Sequence, residues 1–170
     1  MEQFVRDNRI NMIYEGTNTI QSLDLLGRKI LGNNGATLKK FGKLVGALVA
    51  EEGVNEKMAE FITPIAILGE QMTKFTTEIG FKGFQNPDEV GAAAVDYLRV
   101  AGHLVFGYFF ARMAQVALRE IAAGNTDPFY VAKLQTARFY FSKLFPETAT
   151  LMRTARTGSK VLMDTDAALA

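Results

Sequence analysis

From Met58 to Ile79 the apolar residues Met58, Phe61, Ile65, Leu68, Met72, Phe75 and Ile79 recur at steps of three and four without a miss. An α-helix returns a side chain to the same stripe every 3.6 residues, so this stride predicts one continuous helix with a single buried seam. So long a seam needs other helices to cover it, which points to a bundle and away from a sheet. No alternating run of strand length competes with it, and there is no internal repeat or low-complexity tract.

Punctuation supplies the rest. Asn86-Pro87-Asp88-Glu89 reads as a helix start, with Asn86 as N-cap, Pro87 at N1 and Glu89 at N3 reaching back to the cap backbone. The stripe then runs Val90, Ala93, Ala94, Tyr97, Leu98, Ala101, Leu104, Val105 and Tyr108. Phe106, Phe109 and Phe110 fall off it, so the middle of this helix is expected to be buried on most sides. Gly124-Asn125-Thr126-Asp127-Pro128 stops the helix and starts another, with Asp127 as its cap. Tyr130, Leu134, Ala137, Phe141 and Leu144 carry that helix to Pro146, which breaks or kinks it. A last helix is expected from about Glu147 to Met163. Upstream, Leu38, Phe41, Leu44, Val45 and Leu48 make a shorter one, bounded by Gly32-Asn33-Asn34-Gly35 and by Gly53.

The expected fold class is all-α. An antiparallel bundle of four to five helices spans residues 35–170, preceded by a loop and a helix carrying Ile20, Leu23, Leu26 and Ile30. The Gly32–Gly35 turn divides the chain into two units, 1–32 and 33–170.

Composition then removes whole classes of function. Nineteen Lys and Arg against eighteen Asp and Glu leave a formal charge of +1, which argues against a dedicated nucleic-acid binder. Between Phe129 and Met163, Lys133, Arg138, Lys143, Arg153, Arg156 and Lys160 face one acid, Glu147. That reads first as a solvated or interface face, with a polyanion site as the sharper alternative. The absence of Cys excludes a disulfide framework and any thiolate metal site, and suits a reducing, cytoplasmic compartment. The longest apolar run, Val100 to Ala111, is interrupted by His103 and falls short of the roughly 18 residues that a membrane span needs. No secretory signal pattern is present. His103 has neither a Cys nor a second His to work with, so it is expected to be a hydrogen-bonded helix residue, and no metal is expected. Gly27, Gly32 and Gly35 lack the spacing of a phosphate loop. The seven Met residues read as core filler. Asp96, Arg99 and Arg112 sit on the long apolar helix and are expected in structural, partly buried ion pairs.

One segment stands apart. Glu15 follows Met12-Ile13-Tyr14 and precedes Gly16. Glu-Gly-Thr before a helix is an ordinary turn, with Thr17 or Asn18 as N-cap. It is equally the pattern of a carboxylate in a nonpolar pocket, whose basicity desolvation would raise. Spacing leaves both readings open.

The wording of the segment goes further. Val5-Arg6-Asp7-Asn8-Arg9-Ile10 and Ile13-Tyr14-Glu15-Gly16-Thr17-Asn18-Thr19-Ile20-Gln21 resemble the acyl-CoA dehydrogenase family near the end of its catalytic domain. The continuation Ser22-Leu23-Asp24-Leu25-Leu26-Gly27-Arg28-Lys29 is similar to a bacterial branch with an extra C-terminal helical domain, the branch that includes the 3-methylmercaptopropionyl-CoA dehydrogenases. Asp96-Tyr97-Leu98, Phe129 to Leu134 and Leu144 to Thr148 fit that domain as well.

The resemblance implies that Glu15 is the catalytic base, taking the proton alpha to a thioester carbonyl while the beta hydrogen leaves as hydride to FAD. The Glu15 N–H would help to hold the thioester oxygen, a donor aimed where enolate charge develops. Gly16 would let acyl-CoA approach the backbone closely, and Thr17 and Thr19 fall where members contact FAD. Many relatives have Arg where this chain has Ser22, so no contact beyond Thr19 carries over. Acyl-CoA as substrate, electron-transfer flavoprotein as partner and a homo-oligomer are implied too. Nucleic acid is not expected, although a DNA-associated branch of the family carries a basic C-terminal domain.

Since 14 residues precede Glu15, the chain is expected to be the C-terminal piece of a longer enzyme and inactive by itself. The competing expectation is that residues 33–170 form a helical assembly module without chemistry.

Overall fold

The long seam becomes α4, Ala59–Gln85, entered through a short 3₁₀ turn at Glu56–Met58. Every residue of the stripe from Met58 to Ile79 is buried. The computed structural model describes residues 1–13 and 16–164, and among them there is no strand. Before α4 come α1 (Glu2–Asn8), α2 (Asn18–Leu23), a π-helical continuation at Asp24–Ile30, and α3 (Ala36–Glu52). After it come α5 (Asp88–Ala122), α6 (Pro128–Phe139), a π-helical turn at Tyr140–Leu144, α7 (Glu147–Ala155) and α8 (Lys160–Met163). The expected bundle is present as α3 to α7.

The 35-residue α5 is its axis. α4, α6, α7, α2 and the 24–30 segment all pack against it, while α3 packs on α4. Tyr97, Val100, Leu104, Ala111 and Ala114 of α5 reach the common core, and Leu26 and Ile30 join them from the opening segment. Short connections make consecutive helices antiparallel neighbours.

Both expected caps form, each through a side-chain oxygen that accepts the N–H two residues on. Asp127 accepts the Phe129 N–H at 2.9 Å, and Asn86 accepts the Asp88 N–H at 3.1 Å. Glu89 does not close a capping box. It reaches instead to Ser159, whose N–H and hydroxyl donate to its Oε1 at 2.9 and 2.6 Å.

Four further expectations are corrected. The middle of α5 is not buried on most sides, because Phe106 and Phe109 are 58% and 60% exposed. Its neighbours cover a broad arc but leave a stripe uncovered. Leu144 is exposed and Phe145 is buried in its place. The π turn inserts one residue into the helical count, so the core stripe resumes one position late. The last helix does not run through to Met163. It ends at Ala155, and Gly158 at φ +80° turns the chain before α8. Asp96, Arg99 and Arg112 form no buried ion pair. Arg99 bridges to Glu147 and Arg112 to Glu51, both near the surface, while burial raises the carboxyl pKa of Asp96 against the opposing pull of Arg99.

Two shorter stripes are only half realised. Leu44 is exposed on α3, and Ile20 and Leu23 are exposed on α2.

Candidate functional site

Of the sequence-predicted site, Glu15 lies outside the described residues, as does Tyr14. Gly16, Thr17 and Thr19 form the turn into α2. Gly16 sits at φ +87°, in the left-handed region that a residue without Cβ enters at no cost, and nothing lies within 4 Å of where a Cβ would be. Thr17 is half-buried at the head of α2, and its carbonyl accepts the Gln21 N–H at 2.9 Å. Its hydroxyl does not cap the helix. Thr19 is exposed, and its carbonyl accepts the hydroxyl of Ser22 at 2.7 Å. Ser22 itself is fully buried, so this position faces inward.

The approach to this turn is open. Phe4, Val5, Ile10, Met12 and Ile13 are all exposed, and no residue of α1 is buried.

A hollow of about 1180 Å³ lies elsewhere, between α3 and α4. Gly42 and Gly46 line it from α3, and Gly69, Thr73 and Gly80 from α4, while Lys39, Lys43 and Glu70 stand beside them. The groove exists because both helices present small residues at steps of three, four and seven, which leaves no side chain to fill the gap. That spacing was visible in the sequence, but glycines between apolar residues read as pauses in a stripe rather than as a wall. A second hollow of about 530 Å³ lies where Glu51, Glu52, Arg112 and Gln115 meet. Neither hollow includes Gly16, Thr17 or Thr19.

The densest polar cluster joins α5 to the 140–147 region. His103 Nδ1 pairs with the Tyr140 hydroxyl at 2.9 Å and Nε2 with Glu147 at 3.1 Å, and Arg99 donates to Glu147 as well. The bond from His103 holds the Glu147 carboxyl below its ordinary range, helped by Arg99. Burial pushes the Tyr140 hydroxyl up to about 12, and Phe110 stacks on its ring at 4.3 Å. His103 is therefore the satisfied helix residue that its isolation in the sequence implied, with both ring nitrogens engaged. The cluster clamps helices. Among the described residues, no group of three or more His, Asp or Glu is placed to hold a metal ion.

The basic segment is not one open face. Arg138 bonds to Glu60 at 2.9 Å, and Arg156 to Glu78 at 3.0 Å. Arg156 also covers the Phe75 ring at 4.8 Å, and Lys133 lies over Phe129 at 5.1 Å. The two carboxylates offset two of the six cations and join α6 and the end of α7 to α4. Among the described residues, no helix is long and apolar enough to cross a membrane.

The family described as "Acetyl-CoA dehydrogenase C-terminal like" matches residues 37–166, from the first turn of α3 to beyond α8. The chain belongs to this family. It is similar to the 3-methylmercaptopropionyl-CoA dehydrogenase of Ruegeria pomeroyi, at 33% identity over 164 residues that cover 94% of this chain and 28% of the relative. It is also similar to the broad-specificity linear acyl-CoA dehydrogenase FadE5 of Mycobacterium tuberculosis, at 27% identity over 99% of this chain and 29% of the relative. A butyryl-CoA dehydrogenase of Syntrophomonas wolfei is 28% identical over 91% of this chain and 26% of the relative. The chain thus spans little more than a quarter of the length of the acyl-CoA dehydrogenases it matches.

Proposed function

We propose that the chain is the C-terminal portion of a cytoplasmic, flavin-dependent acyl-CoA dehydrogenase, an oxidoreductase acting on the alpha–beta bond of an acyl-CoA thioester. Residues 1–32 end the catalytic domain, and residues 33–170 form the appended bundle. The observation that carries this reading is the similarity to the Ruegeria enzyme, which extends over 94% of the chain and so beyond the bundle into the Tyr14-Glu15-Gly16-Thr17 segment.

The residues at the turn suit a flavin and a thioester. Gly16 keeps open space above its backbone, so a planar or extended ligand can approach to contact distance. Thr17 and Thr19 flank it, and Thr19 is exposed. In this mechanism Glu15 accepts the alpha proton of the acyl group, and the C–H electron pair becomes the new carbon–carbon double bond as the beta hydrogen leaves as hydride. FAD, when bound, would supply the hydride acceptor, and an electron-transfer flavoprotein would be the partner. The Glu15 N–H steadies the thioester oxygen as enolate charge develops. Gly16 would leave room for the thioester, and Thr17 and Thr19 would hold the flavin.

The test is Glu15→Gln in the full-length protein, with butyryl-CoA and 3-methylmercaptopropionyl-CoA as probes. The amide keeps the shape but accepts no proton. Substrate binding is expected to persist while flavin reduction slows beyond the roughly 10²–10⁴ typical of general-base removal, since the alpha carbon is a weak acid. Near-normal reduction would reject the assignment.

A second role is compatible with the first. Residues 33–170 also serve assembly, a reading favoured by the uncovered apolar stripe of α5.

A further inference from the structure

Packing continues across the Gly32–Gly35 turn. α2 runs without a break into the π-helical segment, so Asn18 to Ile30 form one rod. Ser22, Leu26 and Ile30 stand four residues apart along it and are all buried. A step of four keeps side chains on one face. That face packs on α5, with Leu26 and Ile30 in the common core and Leu25 and Leu31 at its margin. Leu31 is also keyed to α4, since its Cδ2 stands 3.2 Å from where a Cβ on Gly80 would be.

The rod has its own internal ties. Asp24 bonds Arg28, four positions on, at 2.5 Å and Lys29, five positions on, at 2.7 Å. A step of five is the spacing of a π-helix. At the far end the Gly35 N–H donates to the Ile30 carbonyl at 2.8 Å. At the near end the buried Ser22 hydroxyl donates to the Thr19 carbonyl at 2.7 Å, beside the turn that carries Gly16 and Thr17. On the other side of that turn, no residue from 1 to 13 is buried. Among the described residues of this chain, the turn is therefore held from its downstream side.

We propose, resting on the reading of Glu15 as the base, that Leu26 and Ile30 are positioning residues for it. Glu15 stands three residues ahead of Asn18 in the chain. The seating of the rod on α5 thus sets where the base, Thr17 and Thr19 stand. The bundle takes part in the chemistry through placement, with no side chain of its own in the site. Lost placement is costly, because a shift of about 1 Å at a reacting group can cost roughly 10²-fold in rate.

The flavin-loaded full-length enzyme tests this, with butyryl-CoA as probe. Leu26→Ala removes the apolar group that seats the rod. It is expected to slow flavin reduction by roughly 10–10²-fold while the substrate dissociation constant stays unchanged. Leu26→Met restores the volume and should restore most of the rate. Leu134→Ala is the control. The 123–127 turn brings α6 back along α5 and Tyr140 meets His103, so buried Leu134 lies beside the half of α5 beyond His103. Gly27 and Leu31, by contrast, border the same hollow as Val90 and Leu104. Leu134→Ala should lower the melting temperature comparably and leave flavin reduction unchanged. Normal reduction in Leu26→Ala, or equal slowing in Leu134→Ala, would overturn the proposal.

Hydrogen exchange in the 170-residue chain tests the anchoring without any chemistry. Amides of 23–31 should exchange as slowly as the core of α5, because the rod cannot leave without opening that core. Fast exchange there beside a protected α5 would overturn the proposal even if Leu26→Ala failed to fold. Glu15→Gln separates the two readings. Near-normal reduction in that variant overturns both, whereas slow reduction there with normal reduction in Leu26→Ala overturns the positioning alone.

Discussion

Glu89 accepts two hydrogen bonds from Ser159, a residue 70 positions later, one from its N–H and one from its hydroxyl. Asn86 donates to the same hydroxyl oxygen at 3.2 Å. The start of α5 and the start of α8 are thereby tied at one point, and the Ser159 bonds hold the Glu89 carboxyl below its usual range. Ser159→Ala removes a hydroxyl that makes two of these bonds, one of them to a carboxylate, and is expected to lower stability by about 1–2 kcal/mol. Gly158→Ala should cost more. Its Cβ would stand 2.9 Å from the Glu89 carboxylate, at φ +80°, adding an unfavourable left-handed conformation of roughly 1–2 kcal/mol. Urea unfolding of the two variants checks the order.

Thr76 and Tyr97 supply a contrast between two deletions. Their hydroxyls lie 2.7 Å apart in the core, and Thr76 also bonds the Met72 carbonyl at 2.7 Å. Tyr97→Phe leaves Thr76 with that second partner, so a loss of about 1 kcal/mol is expected. Thr76→Val strands the fully buried Tyr97 hydroxyl, at a cost of roughly 1–3 kcal/mol. A larger loss for Tyr97→Phe would show that water or another group serves the tyrosine.

Acid should loosen α7 first through Glu147. Its carboxyl is held below the ordinary 4.5, chiefly by the His103 bond and then by Arg99. A pKa depressed in the folded state means that the charged form is favoured there. The contribution is therefore complete above the unfolded value and lost as pH falls through the folded one. Glu78, held down by Arg156, acts in the same sense between α4 and the end of α7. Melting temperature against pH should fall less steeply below about pH 4.5 in Glu147→Gln than in the parent chain. Identical slopes would remove Glu147 from the account.

The 170-residue chain alone is expected to purify without colour. Gly16, Thr17 and Thr19 offer one edge of a flavin site, and neither described hollow adjoins them. Flavin absorbance approaching one equivalent would show that this segment suffices. Hydrogen exchange gives a companion measurement, with slow amides across 90–120 and fast ones in 1–12, where no side chain is buried.

Periodicity revealed the parts of the fold that depend on one stripe meeting one core. The seven-residue seam of α4 was legible because each of its members faces the same neighbours, and the Asp127 cap because it depends on residues two positions apart. What the sequence concealed depends on distant partners. Nothing local says that Glu89 would prefer Ser159 to its own cap, or that Phe106 and Phe109 would face outward. Phe145 replaced Leu144 because a π turn changes the count, and no residue type marks such a turn. At the candidate site, the wording of residues 13–21 carried the resemblance, while the pocket walls that would surround Glu15 have no counterpart in local spacing.

The π turn at Tyr140–Leu144 gives chain length itself a structural meaning. Phe145 reaches Gly107 only because one additional residue has been wound into the helix ahead of it. Its ring sits where a Cβ on Gly107 would come within 2.8 Å. Removing any single residue between 140 and 144 would let regular α-helical bonding return, and would leave everything downstream close to its present rotation, because the turn already absorbs one residue. Arg156 would still face Glu78 and Glu147 would still face His103, although the chain had become shorter. In this stretch a one-residue deletion is absorbed, whereas the same deletion in a regular stretch of helix would rotate everything beyond it by about 100°.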